Sequence, residues 1–374
     1  MPIIIGLMSG TSADGVDAAA FDIRRKKKGV SIKPIAASMT AYSPGIAEAL
    51  TEFWPMAPVD YVMKLDVIVG LIFARAAKKL MRRLGLEGIR PALIGSHGQT
   101  VRHLPREKST LQIGSAAHIA AITGVDVWSD FRRADMAAGG QGAPLAPVAH
   151  LPLFGHPREN RTVVNIGGIA NITHIPAGAG SLRELIAYDT GPGNMLIDLV
   201  AKNVTGQPID RNGRLAAGGK VNSFVLRRAM YHPYFQMRPP KSTGRETFGQ
   251  AFLDELFPRG KITWSADLCA TMTELTAASV EWEINQLSSA GRPTDKVIVC
   301  GGGALNGYLM ERIARLCFPV KVVSSAEEGI DPMLVETALV ALLAYHASRG
   351  EALDLSSITG SKRPVKLGVF TPSQ

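Results

Sequence analysis

The sequence predicts an α/β protein built from two related halves. Short apolar runs end in glycine-rich polar loops, and stretches with helical periodicity alternate with those runs. Of the 374 residues, 46% are hydrophobic and 20% are charged, which is typical of a globular chain rather than a disordered one. Because a domain holds roughly 100–200 residues, this length predicts two domains.

Two similar strand–turn–strand units indicate that the two halves are related. Ile3–Met8 and Val16–Ile23 flank a polar turn, and Thr162–Ile166 and Ile169–Ile175 flank Gly167-Gly168. Each pattern predicts a hairpin whose tight turn offers backbone N–H groups. The similarity between the two units is a hypothesis of internal duplication.

Further elements complete the α/β pattern. Val297–Cys300 predicts a strand that leads through Gly301-Gly302-Gly303 into a helix. The connection between the halves is predicted near Asp135–Pro147, which contains Gly139-Gly140-Gln141-Gly142 and two prolines. Helical periodicity is clearest at Val62–Leu84, Ala266–Ser288 and Pro332–Ser348.

Charge and cysteine content exclude several classes of protein. The net charge of +9 is spread thinly apart from the run Arg24–Lys28, which we interpret as a solvated turn between two strands. No aromatic residues interleave with this run, which argues against nucleic-acid or membrane binding there. The three cysteines cannot form a disulfide framework and are predicted to be buried. No apolar stretch reaches the roughly 18 residues of a membrane span.

The first hairpin turn has the composition of a phosphate and magnesium site. Gly10 and Gly15 allow a tight turn of backbone N–H groups, and the Thr11 and Ser12 hydroxyls can donate hydrogen bonds. Asp14 and Asp17 can hold Mg²⁺ directly or through water. An ordinary hairpin turn contains the same residue types, so the turn alone leaves both interpretations open.

A second candidate is Asp189, which precedes the turn Gly191-Pro192-Gly193 and an apolar helix. This placement predicts a carboxylate directed toward a cleft. The alternative is that Asp189 caps the following helix.

A third candidate is the loop Gly301–Gly307, which can bring backbone against a phosphate or a flat ligand. A strand before it and a helix after it leave a nicotinamide dehydrogenase as an alternative. The glycine spacing does not match the dinucleotide fingerprint, and Pro319–Val322 stands where the ribose-binding acid is expected. No P-loop, no G-x-S-x-G elbow and no H-E-x-x-H metal motif occurs.

Two polar loops supply further ligand candidates. His97 and Gln99 follow an apolar run, which favours ligand contact, although a lone histidine is commonly a structural hydrogen-bonding group. Arg132 lies in Asp130–Asp135 and offers a forked guanidinium for a carboxylate or phosphate. The alternative for this cluster is a pair of surface salt bridges.

In these motifs the sequence resembles the anhydro-N-acetylmuramic acid kinase family of the actin/hexokinase-like superfamily. The likeness covers nearly the whole chain in order and spacing. It is carried by Gly6–Ser12, Asp14–Asp17, Gly95–Thr100, Asp130–Arg132, Ala137–Pro144, Asn165–Asn171, Asp189–Asn194, Pro239–Glu246, Cys300–Asn306 and Glu336, with Ala13 departing from the family's usual leucine.

The resemblance implies a two-lobed, duplicated, ribonuclease H-like fold with ATP in the interlobe cleft. The lobes are expected at 1–135 plus 346–374 and at 136–345. The implied nucleotide-binding residues are Gly10, Thr11, Ser12, Asp14, Gly15, Asp17, Asn165, Gly167, Gly168, Gly191, Gly301, Gly302, Gly303 and Asn306. The implied sugar-binding residues are His97, Gln99, Arg132, Asp189 and Glu336.

The implied reaction opens the internal bridge of 1,6-anhydro-N-acetylmuramic acid with water and phosphorylates O6 with ATP and Mg²⁺. Asp189 would be the general base, and Asp14 and Asp17 would hold the metal. The resemblance also implies a cytoplasmic homodimer that serves cell-wall recycling and binds neither nucleic acid nor membrane. A non-catalytic regulator on the same scaffold is the remaining alternative, which the presence of Asp14, Asp17 and Asp189 disfavours.

Overall fold

The chain folds into two compact units, each with its own β-sheet. The computed structural model describes residues 2–10, 13–27, 29–51, 57–257 and 262–373. One unit comprises Met1–Leu153, Gly180–Glu184 and Leu334–Gln374, and the other comprises Phe154–Ala179 and Leu185–Met333. The α/β class, two-unit organisation and duplicated strand plan expected from the sequence are confirmed.

The first unit contains a seven-stranded sheet in the order β12-β6-β4-β1-β2-β3, with β5 paired to β4. Its strands are β1 (Ile3–Ser9), β2 (Gly15–Arg25), β3 (Val30–Ala41), β4 (Leu93–Leu104), β5 (Ser109–Ile113), β6 (Val127–Ser129) and β12 (Val369–Thr371). Its helices are α1 (Pro44–Thr51), α2 (Val59–Leu86), α3 (Ala116–Thr123), α4 (Arg133–Ala137), α5 (Pro147–Phe154) and α13 (Val335–Ser348).

The second unit contains a five-stranded sheet in the order β11-β10-β7-β8-β9. Its strands are β7 (Arg161–Ile166), β8 (Ile169–Ile175), β9 (Ile186–Pro192), β10 (Lys296–Cys300) and β11 (Lys321–Ser324). Its helices are α6 (Met195–Thr205), α7 (Arg214–Ala217), α8 (Ser223–Met230), α9 (Pro233–Gln236), α10 (Gln250–Leu256), α11 (Ala266–Ser289) and α12 (Gly307–Leu316). Short 3₁₀ helices in the chain lie at Leu182–Glu184, Arg211–Gly213, Gly302–Leu305, Ser325–Glu328 and Pro332–Leu334.

The two predicted hairpins are the centres of the two sheets. β1 pairs antiparallel with β2, and β7 pairs antiparallel with β8. In each sheet the first hairpin strand also pairs in parallel with a later strand, β4 in one case and β10 in the other. Loops that follow β1, β4, β7 and β10 therefore lie at the carboxyl edges of parallel strands, where α/β proteins bind ligands.

The boundaries of the two units differ from those expected for the two lobes. Helix α13 packs on the first sheet, because a Cβ on Gly6 would lie 2.0 Å from the Thr337 carbonyl oxygen and one on Gly95 would lie 2.6 Å from that of Val340. Only glycine permits so close an approach of helix and strand backbones. Residues 136–153 also belong to the first unit, where the Gln141 N–H donates to the Thr359 carbonyl at 2.9 Å.

Helix patterning explains how each sheet is covered. In α2 the buried positions Leu65, Val69, Phe73, Leu80 and Leu84 recur at helical spacing and form one apolar stripe. In the second unit α11 is buried over most of its length, and its buried positions include the charged residues Glu274 and Glu283 as well as apolar ones.

The basic run forms the predicted turn. Arg24 and Arg25 end β2, the Lys26 N–H donates to the Gly29 carbonyl at 3.0 Å, and Val30 begins β3. Lys28 lies outside the described residues. The three cysteines are buried and free, as predicted. None of the helices among the described residues combines the length and apolarity that crossing a bilayer requires.

Candidate active site

Gln99 fixes the chain at the start of the first hairpin turn. The Ser9 hydroxyl donates to Gln99 Oε1 at 2.5 Å, and Gln99 Nε2 donates to the Gly10 carbonyl at 3.1 Å. Both partners lie where β1 ends, so β4 holds the entrance to the turn through one buried amide. Thr11 and Ser12, two of the predicted phosphate contacts, lie outside the described residues.

The two candidate metal carboxylates flank the beginning of β2. Asp14 is exposed, and its carbonyl accepts a hydrogen bond from the Tyr42 N–H at 3.0 Å. Asp17 is half-buried within β2, opposite Met8. The described residues contain no cluster of three or more His, Cys, Asp or Glu side chains suited to a metal. Mg²⁺ commonly binds through one or two carboxylates with water and phosphate oxygens, so Asp14 and Asp17 fit that mode.

His97 supports Arg132 through its ring. Arg132 Nε donates to His97 Nε2 at 3.0 Å, which places the ring proton on Nδ1, and Nδ1 lies 3.1 Å from the Gly98 carbonyl that accepts it. Burial, together with the neighbouring Arg132, lowers the pKa of His97 to about 3, while the Gly98 carbonyl opposes this shift. The ring is therefore neutral, and both of its nitrogens are used within the protein. A direct ring-nitrogen contact with the sugar stays a prediction that this geometry disfavours.

Arg132 is turned into the protein, unlike its neighbour Arg133. Its Nη1 donates to the Gly142 carbonyl at 2.7 Å, whereas Arg133 pairs with Asp130 at 3.2 Å with more than half of its side chain exposed. The surface salt-bridge alternative thus holds for Arg133 alone. Burial lowers the pKa of Arg132 to about 10, and Glu336 and Asp135 oppose that shift, so the guanidinium stays charged at neutral pH.

The glycine stretch 139–142 is held by Asp135. One Asp135 oxygen accepts from the Gly142 N–H at 2.8 Å, and the other accepts from the Thr359 hydroxyl at 2.7 Å. A Cβ on Gly140 would lie 2.2 Å from this carboxylate, so glycine is required there. Because Arg132 Nη1 also donates to the Gly142 carbonyl, this glycine stretch helps to hold the guanidinium in position.

In the second unit, Asn165 and Gly301 meet where β7 and β10 end. Gly301 has φ of +76°, and a Cβ there would lie 2.5 Å from Asn165 Oδ1. The Gly301 N–H donates to the Pro332 carbonyl at 3.1 Å. The protein's own packing therefore requires glycine at Gly301, and its N–H is already used.

Gly167 and Gly302 differ, because no described residue lies close enough to require glycine there. A Cβ on Gly167 would approach no atom closer than 3.7 Å, and one on Gly302 would find only Asn194 Nδ2, also at 3.7 Å. The Asn194 N–H donates to the Gly167 carbonyl at 2.8 Å, which places all three residues around the start of α6. Open glycines beside a helix N-terminus are a suitable cradle for an anionic ligand.

Three further predicted nucleotide contacts have structural roles of their own. Gly191 has φ of +145°, and a Cβ there would lie 2.7 Å from the Phe235 ring. A Cβ on Gly303 would lie 2.4 Å from the Ile166 side chain. The Asn306 side chain accepts from the Leu309 N–H at 3.0 Å and so caps α12. Their nucleotide contacts stay predictions.

Asp189 lies within β9 and not in the turn that follows it. The pairing of β8 with β9 continues to Ile169 and Pro192, so Gly191 and Pro192, which were predicted from the sequence to lie in a turn, belong to the strand. Asn194 occupies the cap position of α6, which rules out the helix-cap alternative for Asp189. Asn171 of β8 is the direct cross-strand neighbour of Asp189.

Three hydrogen bonds hold Asp189 in place. Its N–H donates to the Lys241 carbonyl at 3.2 Å, and its carbonyl accepts from the Tyr234 hydroxyl at 2.9 Å. Its carboxylate oxygen Oδ2 accepts from the Thr243 N–H at 2.9 Å. Burial raises the pKa of Asp189 to about 7; the Thr243 N–H and Lys241 oppose this shift, and Glu246 adds to it. A carboxyl group that ionises near neutral pH is suited to general-base catalysis.

Two residues beside Asp189 were not predicted from the sequence. Thr243 Oγ1 and Asn171 Oδ1 are buried and have no hydrogen-bond partner among the described residues. Buried polar atoms are almost always satisfied, so each is a candidate for contact with a ligand. Both lie within motifs of the family, but the sequence offered no means to tell that they flank Asp189.

Comparison with known proteins identifies the family. The family model described as anhydro-N-acetylmuramic acid kinase matches residues 2–373. A protein of that name from Gloeobacter violaceus is 42% identical, with 99% of each chain covered. Another from Xanthomonas axonopodis pv. citri is 41% identical, covering 100% of this chain and 98% of the relative.

Solved structures of low identity are also similar. Component A of the (R)-2-hydroxyglutaryl-CoA dehydratase from Acidaminococcus fermentans is 14% identical with a TM-score of 0.47, covering 93% of this chain and 100% of that one. A ROK family glucokinase from Streptomyces griseus, in complex with glucose and AMPPNP, is 13% identical with a TM-score of 0.39, covering 91% and 98%. By its family match and its close relatives, the chain belongs to the anhydro-N-acetylmuramic acid kinase family.

Proposed function

We propose that this protein is an ATP-dependent kinase that hydrolyses the 1,6-anhydro bridge of 1,6-anhydro-N-acetylmuramic acid and phosphorylates O6. The products are N-acetylmuramic acid 6-phosphate and ADP, and the role is cell-wall recycling. Family membership over residues 2–373 supports this reaction. The observation that carries it is Asp189, a carboxylate with a raised pKa of about 7 that is fixed by the Thr243 N–H.

Asp189 acts as the general base in the proposed mechanism. Its carboxylate takes a proton from water while the water oxygen bonds to the anomeric carbon C1. The bond between C1 and the bridging oxygen breaks, and that oxygen, now O6, bonds to the γ-phosphorus of ATP as ADP leaves. Asp189 then returns its proton to solvent. A positioned base contributes roughly 10²–10⁴-fold to such a step.

Thr243 and Asn171 are placed to orient the reacting groups. Their unpartnered atoms, a hydroxyl oxygen and an amide oxygen, flank Asp189. The attacking water must keep one hydrogen directed at Asp189 and the other at a second acceptor. Asn171 Oδ1 can accept from that water, and the Thr243 hydroxyl can bond either the water or a sugar hydroxyl.

The sugar's acidic substituent calls for a cation, and we assign that contact to Arg132. His97, Asp135 and Gly142 fix its guanidinium, so less rotamer entropy is lost on binding. Glu336, in the first turn of α13, lies near enough to influence the pKa of Arg132 and is proposed as a further sugar contact. His97 and Gln99 then serve the sugar mainly by holding Arg132 and the first turn.

We assign the nucleotide to the glycine-rich loops. The first turn, with Gly10, Asp14, Gly15 and Asp17, holds phosphates and Mg²⁺ in this proposal. Bound Mg²⁺ would neutralise phosphate charge during transfer. In the second unit the proposed contacts are Asn165, Gly167, Gly168, Gly191, Gly301, Gly302, Gly303 and Asn306. Among these, the open positions Gly167 and Gly302 have the strongest structural support.

Release of ADP with and without the anhydro sugar tests the proposal. We expect release that depends on the sugar and on Mg²⁺, with no absorbance change when NAD replaces ATP. A dehydrogenase would instead give an absorbance change with NAD and no release of ADP. Against that alternative, β11 ends at Ser324, where a dinucleotide-binding fold would have the acid that binds a ribose. A regulator would bind sugar or nucleotide without turnover. We also propose that the protein is a cytoplasmic homodimer. Light scattering of the purified protein would test the oligomeric state.

A further inference from the structure

One ion pair of the second unit is almost completely buried. Lys241 Nζ donates to Glu283 Oε1 at 2.6 Å, with side-chain exposures of 0% and 2%. The ammonium lies 4.9 Å from the centre of the Tyr234 ring and 6.0 Å from that of Tyr188. Burial raises the pKa of Glu283, while Lys241 and the Tyr188 hydroxyl stabilise its ionised form. Such pairs cost desolvation energy and are weak devices for stability alone.

Lys241 lies in the irregular segment that holds Asp189. Residues 237–249, all of them described, form neither helix nor strand. Within this segment the Lys241 carbonyl accepts from the Asp189 N–H, and the Thr243 N–H donates to the Asp189 carboxylate. The side chain of Lys241 ends in the pair with Glu283 of α11. The ion pair is thus an anchor that connects an irregular segment to the longest helix of the unit.

We propose that Lys241 and Glu283 are positioning residues for the general base: their buried ion pair fixes the segment 241–243 so that the Thr243 N–H and the Lys241 carbonyl hold Asp189 in its reactive orientation. This inference rests on the proposed role of Asp189. Tyr234 belongs to the same device, because it contacts Lys241 through its ring and carbonyl and Asp189 through its hydroxyl.

The pH dependence of the reaction reports on this anchor. The charged and titratable groups that face Asp189 are Lys241 and Glu246 of the irregular segment and Tyr234 of α9. Loss of Lys241 removes a nearby positive charge and releases the Thr243 N–H, and both changes raise the pKa of Asp189. A substitution that merely weakened the fold would leave that pKa unchanged.

The test is the pH profile of kcat for Lys241→Met, with Arg312→Met as the matched control. Arg312 forms another ion pair with α11, to Glu274 at 2.6 Å, and neither residue is among the groups that shift the pKa of Asp189. We expect Lys241→Met to lower kcat about ten- to hundredfold. The sugar KM should change less than about threefold, and the acidic limb should move at least about 0.5 pH units upward. Arg312→Met should keep the wild-type profile. The double variant Lys241→Met/Glu283→Gln removes both charges of this pair and gives the same readout if the single variant does not fold.

The outcomes separate this inference from the proposed function. An unmoved acidic limb in a folded Lys241 variant, with Asp189→Asn inactive, would overturn the anchor and leave the base intact. An equal shift in Arg312→Met would also overturn it, because the effect would then not be specific to Lys241. Activity in Asp189→Asn would remove the base and the positioning role together.

Discussion

The two sheets share the same order and direction of five strands, but equivalent turns and strands carry different residues. In each, three parallel strands are followed by two antiparallel ones: β6, β4, β1, β2, β3 in one and β11, β10, β7, β8, β9 in the other. The first hairpin turn carries Asp14 and is tied by Gln99. The turn Gly167-Gly168 carries no carboxylate, and its carbonyls accept from the N–H groups of Gly193, Asn194 and Met195.

The same contrast holds for the last strand of each plan. β9 bears Asp189, whereas β3, which occupies the equivalent place, contains no carboxylate in its sequence VSIKPIAASMTA. Topology therefore determines where functional loops lie, and a few side chains determine what each loop does. Asp189, the proposed base, lies in the second unit, whereas Asp14, Asp17 and Arg132 lie in the first.

The largest expected effect comes from removing the base. Asp189→Asn should lower kcat by roughly 10²–10⁴-fold, because water then lacks a proton acceptor. Asp198→Asn is the matched control in the same unit, since burial raises the pKa of Asp198 to about 7 as well. Steady-state ADP release measures both variants. Similar losses in both would show that a buried carboxyl group of this unit, and not Asp189 in particular, is needed.

A smaller effect should separate open glycines from packed ones. Gly302→Ala places a methyl group in space that no atom of the described residues fills, so we expect an unchanged melting temperature and an ATP KM raised about tenfold. Gly303→Ala instead meets Ile166 and should destabilise the fold by about 1–3 kcal/mol, an effect that Gly302→Ala should not show. If Gly302→Ala bound ATP normally, the second unit would lack the proposed cradle.

Gln99→Leu distinguishes support of the first turn from direct sugar contact. The substitution breaks the bonds to Ser9 and Gly10, so the ATP KM should rise about fivefold, corresponding to about 1 kcal/mol. Gln112→Leu on β5 removes an amide with other partners and serves as the control. A rise in the sugar KM instead, at constant ATP KM, would support the sugar contact expected from the family resemblance.

The smallest expected effect is a gain of stability. The pKa of Asp189, about 7 when folded, exceeds its ordinary value of 3.8, so its favourable contribution is complete below about pH 4 and is lost as the pH rises through 7. Asp189→Asn cannot ionise and should melt at least about 2 °C higher than wild type at pH 8. At pH 4 the two should melt together. A lower melting temperature at pH 8 would contradict the burial cost assigned to this carboxylate.

Much of the fold was predictable because local patterns and tertiary structure agree. Both hairpins, the strand before Gly301 and the helices α2, α11 and α13 follow from periodicity and glycine placement. The assignment of α13 to the first unit was not predictable, since it depends on close backbone approach at Gly6 and Gly95. Sequence distance carries no information on such long-range packing.

The candidate site was predictable by residue type and less so by role. Asp189 stands out in the sequence, but its pKa depends on burial and on a segment some fifty residues later, of which Thr243 is part. His97 was predicted to contact ligand, yet its two ring nitrogens serve Gly98 and Arg132. Lys241 and Glu283 have no sequence pattern that indicates they pair.

The most direct test of the central claim is the mass of the sugar phosphate formed in heavy-oxygen water. If Asp189 directs water to the anomeric carbon, each product molecule carries one heavy oxygen at C1 and none in the phosphoryl group. Unlabelled product incubated with enzyme for the same time corrects for exchange at C1. Heavy oxygen in the phosphoryl group, or none at C1 beyond exchange, would contradict the account.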